Sequence, residues 1–60
     1  LENIYVLDPN NKRIVILDKD GGIVNQYFSD SFDNLKDFAV SESDNAIYLL
    51  NGSSIYKIDL

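Results

Sequence analysis

Three carboxylates fall close together in the stretch Ser29-Asp30-Ser31-Phe32-Asp33-Asn34-Leu35-Lys36-Asp37. Neighbouring carboxylates can pass a proton or hold a cation. A proton shuttle needs apolar cover to raise one pKa. Here only Phe32 and Leu35 are apolar, and no histidine or nucleophile–base pair accompanies the acids. We read Asp30, Asp33 and Asp37 as belonging to a solvated connection anchored by Phe32 and Leu35. Asp18-Lys19-Asp20-Gly21 has the opening of a calcium loop, whose twelfth position carries a bidentate Glu. Ser29 stands at that position, so the stretch reads as a hairpin turn with no specific calcium binding. Asp8 and Arg13 flank another turn and can pair, with Asn11 between them. An exposed pair of this kind contributes about 0–1 kcal/mol, so its role is turn geometry; a ligand contact on the same loop is the alternative. Tyr5, Tyr27, Tyr48 and Tyr56 fall on apolar runs and read as packing residues. Asp8, Asn11, Arg13, Asp18, Asp20 and Gly21 are thus turn-building residues. No catalytic residue, metal ligand or cofactor is predicted.

Composition narrows the field further. Sixty residues make at most one small domain, and a chain of this size buries only about 60% of its unfolded surface. With no cysteine and no histidine, it has neither disulfides nor the usual zinc ligands. Ten acidic against five basic residues give a net charge of −5 and a pI near 4.2. A nucleic-acid binder needs a basic footprint, and an anionic membrane surface would repel this chain. Apolar runs such as Ile14 to Leu17 are far short of the roughly 20 residues that span a bilayer. No stretch has the pattern of a signal peptide. The chain holds no Met and opens on Leu1, which we read as an excised or processed piece of something longer.

These residues need strands to position them. Asn3 to Asp8 and Arg13 to Asp18 are apolar on both faces, which predicts central, doubly covered strands. Asp8-Pro9-Asn10-Asn11 joins them with turn chemistry, the Asn residues being suited to left-handed backbone. Asp18-Lys19-Asp20-Gly21-Gly22 is the next hairpin turn. Ile23 to Phe28 mixes polar and apolar residues on both faces and reads as a wetter strand. After the connection at residues 29–35, Lys36 to Val40 begins a second set, with small Ala39 suggesting a crowded position. Ala46 to Leu50 and Ser54 to Leu60 complete it, separated by a tight turn at Asn51-Gly52-Ser53. The prediction is all-β: antiparallel meanders with no helix beyond a turn. Val6, Leu7, Ile16, Ile47 and Leu49 are expected among the most buried residues.

The two sets repeat. Ile4-Tyr5 matches Ile47-Tyr48, 43 positions on. Arg13-Ile14-Val15-Ile16-Leu17-Asp18 matches Ser54-Ile55-Tyr56-Lys57-Ile58-Asp59 after a loop two residues shorter. Repeats of this length made of short strands are typical of propeller blades. Ile4-Tyr5-Val6-Leu7-Asp8, Asn11, Arg13-Ile14 and Asp18-Lys19-Asp20-Gly21 together resemble the NHL family of β-propellers. The second copy departs, with Asn51 for the Asp and no Arg before Ile55. The resemblance implies that residues 3–28 are strands B, C and D of one blade and residues 36–60 strands A, B and C of the next. By that analogy the B strands should be driest.

Such motifs identify a fold more than a function. The leading expectation is a non-enzymatic scaffold, part of an NHL-like propeller that binds a protein or small ligand when complete. Its partners would be the remainder of a larger propeller, or copies of itself joined through open strand edges. A propeller lyase or hydrolase with its metal site mostly in other blades is the alternative, and a designed or evolutionary fragment without activity is a third.

Overall fold

The computed structural model describes residues 3–60. Six strands follow one another: β1 (Ile4–Asp8), β2 (Arg13–Leu17), β3 (Ile23–Phe28), β4 (Leu35–Ser41), β5 (Ala46–Asn51) and β6 (Ser54–Asp59). They form two three-stranded antiparallel sheets in the orders β1-β2-β3 and β4-β5-β6. The helical content among the described residues is one 3₁₀ turn, Pro9–Asn11. The chain is therefore all-β, as its turn-bounded apolar runs predict.

Each loop follows from its residues. Pro9 sets φ for the 3₁₀ turn after β1, and the Lys12 amide donates to the Pro9 carbonyl at 3.1 Å. The left-handed residue there is Lys12, at φ 54°, rather than either Asn. Asn45, at φ 51°, closes the loop at residues 42–45 in the same way, its amide donating to Glu42 at 3.2 Å. Between β2 and β3 the Gly21 amide donates to the Asp18 carbonyl at 3.0 Å and the Asp18 amide to that of Gly22 at 2.8 Å. Gly21 sits at φ 90°. This is a three-residue loop with glycine at its left-handed position. The β5–β6 link is shorter, because Asn51 pairs directly with Ser54 and Gly52 takes φ 59°.

Side chains alternate across each sheet, and the registers define its faces. On the first sheet Tyr5, Leu7, Ile14, Ile16 and Tyr27 share a front face. Ile4, Val6, Val15, Leu17 and Phe28 share the back. On the second sheet Phe38, Val40, Ile47, Leu49 and Ile58 share one face, and Ala39, Tyr48, Leu50, Ile55 and Lys57 the other. The core forms where the front of the first sheet meets the Ile47 face of the second. Ile14, Ile16, Ile47 and Leu49 are buried there, with Phe32 and Leu35 joining from the connection and Tyr5, Leu7 and Phe38 half-buried around them. The Tyr5 and Phe38 rings meet across the gap with centroids 6.4 Å apart.

Several expectations need correction. β1 is an edge strand with an uncovered back face, so Val6 and Ile4 are exposed rather than buried. Leu7 is only half-buried. The driest strands are β2 and β5, the central strand of each sheet, whatever their place in the repeat. β3 is largely exposed, as its mixed polarity implies. Ala39 lies on an open face and is exposed, so its small size does not mark crowding. β4 starts at Leu35, with a register irregularity before Asp37.

Candidate functional site

The turn-building residues fall into two separate groups. Asp8 ends β1 and Arg13 begins β2, directly opposite each other in register. Asp8 Oδ2 accepts from Arg13 Nε at 2.8 Å and from Asn11 Nδ2 at 2.9 Å. Arg13 Nη1 reaches from β2 to β3 and donates to Gln26 Oε1 at 2.8 Å. The Asn11 amide first, and then the Arg13 guanidinium, hold the Asp8 carboxyl below its ordinary value. The network ties all three strands of the sheet together at one end.

The second group is one turn. Asp18 Oδ1 accepts from the amides of Asp20 and Gly22, both at 2.9 Å. The carboxylate oxygen that would open a cation loop is thus directed at backbone. Of the three acids around the connection, Asp30 is exposed and the other two are hydrogen-bonded. Asp37 Oδ1 accepts from the Phe38 amide at 2.8 Å, and Asp33 Oδ1 accepts from Asn51 Nδ2 at 3.1 Å. Among the described residues, no three acidic side chains converge as metal ligands would.

Asn51 is the residue that sequence reasoning passed over. It stands where Asp8 stands in the first copy and is 7% exposed. Its Oδ1 accepts from the Asn34 amide at 2.8 Å, and its Nδ2 also donates to the Ser31 carbonyl at 3.2 Å. The Gly52 amide donates to the Asn34 carbonyl at 2.8 Å. The connection between the sheets is therefore clamped onto the end of β5. The available signal was position: in both copies a polar residue terminates the strand and gathers the neighbouring loop. Tyr48 adds a smaller tie, its hydroxyl donating to Asp44 Oδ2 at 2.7 Å, which raises the Tyr48 pKa.

Comparison with protein-family models, curated proteins and solved structures finds no match. The features that bear on function are accordingly the chain's own surfaces. Two apolar sheet faces lie open, one on each side of the shared core. The back of the first sheet exposes Ile4, Val6 and Phe28. The outer face of the second sheet exposes Leu50 and Ile55 around a shallow depression of about 220 Å³, bordered also by Tyr48, Ala39 and Asp37. Exposed apolar side chains grouped on one face mark candidate contact surfaces. A cleft of about 310 Å³ opens between the sheets at the far end, lined by Tyr5, Tyr27, Asn25, Asn45, Asn3 and Leu60.

Proposed function

We propose that this chain is a structural and interaction scaffold of the NHL-like β-propeller kind, one whose complete form binds a protein or small ligand. The supporting observation is the way its two repeat copies meet. The repeat equates Tyr5 with Tyr48, Leu7 with Leu50 and Ile14 with Ile55; it also equates Ile4 with Ile47 and Leu17 with Ile58. The Tyr5 face of the first sheet packs on the Ile47 face of the second. Front therefore meets back, which is the contact that lets equivalent sheets succeed one another in a series. An isolated sandwich has no need of that polarity.

On this reading β1 and β6 have edges open to a further strand: β1 lacks an inner neighbour and β6 an outer one. The chain's partners are then the remainder of a larger propeller, or other copies pairing along those edges. Function resides in the surfaces that a series of sheets presents, such as loop ends like the Asp8–Arg13 network.

Arrays of the 43-residue repeat test the reading. In a repeat architecture each added unit contributes one more interface. The urea midpoint of such arrays should rise with repeat number, with a single shared transition. A series whose midpoint stays flat would mean that the two sheets form a self-contained sandwich.

A further inference from the structure

The two open faces are the unused halves of the interface already formed inside the chain. Their residues are equivalent to core residues, and the contrast in exposure is large. Ile47 and Ile14 are 0% exposed, whereas their equivalents Ile4 and Ile55 are 49% and 69% exposed. Leu49 is 0% exposed and its equivalent Val6 is 41% exposed. Both open faces have apolar centres: Val15 is buried among its neighbours on the back of the first sheet, and Leu50 and Ile55 border the depression on the front of the second. The front of the second sheet repeats the Tyr, Leu and Ile of the buried front of the first, and the back of the first sheet repeats the aliphatic centre of the Ile47 face beside its Asp8–Arg13–Gln26 network.

We propose that a second copy of this chain docks on these faces head to tail, the front of the second sheet of one copy seating on the back of the first sheet of the next. This rests on the front-and-back assignment given above. The occupant follows from the internal interface. What covers the Ile47 face inside the chain is a Tyr5–Leu7–Ile14 surface, and the matching free surface is Tyr48–Leu50–Ile55 on another copy. The docked contact differs from the internal one on both faces: Asp8, Arg13, Val6 and Val15 stand on the back of the first sheet where Asn51, Ser54, Leu49 and Tyr56 stand on the Ile47 face, and the second sheet has no counterpart of β3 with its Tyr27. Lys57 replaces Ile16 on the front face, where its aliphatic stem can lie along apolar surface with its ammonium at the rim. The first sheet also has no counterpart of β4, so Tyr48 lacks the Phe38 ring that Tyr5 meets. The intermolecular contact is therefore the smaller of the two and concentration-dependent. Because the two faces differ, the interface is heterologous and extends into rings or open chains of copies rather than stopping at a two-fold dimer.

Sedimentation of the full chain and two variants tests this, with salt added to screen the net charge of −5 on each copy. Ile4→Arg blocks the back face and Ile55→Arg the front. Both positions are exposed in the isolated chain, and circular dichroism matching that of the parent will show that each variant folds. The parent should grow beyond dimer as its concentration rises. Each variant alone should remain monomeric, since all its copies lack the same face. An equimolar mixture should form a heterodimer and stop there, because only one front and one back remain competent. A monomeric parent, a variant that associates like the parent, or a mixture that stays monomeric would each overturn the proposal. Association through strand edges would leave both variants competent and so falls in the second case. If tandem arrays gain stability while the free chain stays monomeric, the scaffold reading survives and only docking between copies is lost.

Discussion

Asn51 satisfies two backbone groups and one carboxylate with a single amide. Removing that amide as Asn51→Ala leaves the part-buried Asn34 N–H without its acceptor, at a cost of about 0.5–1.5 kcal/mol. Urea denaturation should show the loss as a lower midpoint with an unchanged slope. Asn51→Asp keeps an acceptor for Asn34 but places a second carboxylate against Asp33. It should be more damaging near neutral pH than in mild acid, where one of the pair can take a proton; equal damage at both would show that the Asp33 contact does not form. Asp8 gives a different pH signature. Its folded-state pKa lies below the ordinary 3.8, chiefly through Asn11 and then Arg13. The resulting stabilisation is complete above 3.8 and drains away as pH falls through the lower folded value. Replacing Asp8 by Asn should therefore flatten the acid limb of the stability profile in that window. At this scale the sequence was legible where a residue acts within its own turn, as Asp18 does. It was opaque at Asn51, whose partners lie 17 to 20 positions away.

β1 and β5 carry nearly the same residues yet occupy different environments, because β5 has a neighbour on each side and β1 has only β2. Ile47→Ala should cost roughly 2–5 kcal/mol, the range for truncating a packed aliphatic side chain. Val6→Ala, at an edge and on an open face, should cost less than about 1 kcal/mol. Comparable losses at the two sites would mean that the back of the first sheet is covered in solution. The loops sort equally by element. Gly21 lies at φ 90°, where a Cβ meets no neighbouring atom within 4 Å, so the penalty of Gly21→Ala is purely conformational, about 1–2 kcal/mol. Strand existence and turn position came from apolar runs and turn chemistry, and the two-residue difference between equivalent loops from the repeat. Strand rank did not, since an apolar run on both faces looks the same whether its sheet continues or stops. That is why β1 was expected at the centre of a sheet.

Across the whole molecule, two meanders too small to stand alone share one layer of side chains, so the sheets should lose structure together. Probes of each, Tyr5 near the first and Tyr56 against Phe32 in the second, should report a single unfolding transition. The repeat made the pairing of equivalent surfaces legible; which surface of which copy would be buried required the registers. Those registers also bear on time. Every ladder joins strands adjacent in sequence, and the loops between them span residues 9–12, 18–22, 42–45 and 52–53. Hairpins closed by loops this short form in about 1–10 μs. The one event that brings distant segments together is the meeting of the two meanders across the connection that Asn51 grips. The search is thus confined to two partners held on a short leash, and refolding should finish within milliseconds, quicker than most all-β domains. A dominant phase lasting seconds would mean that the meanders do not assemble before they meet.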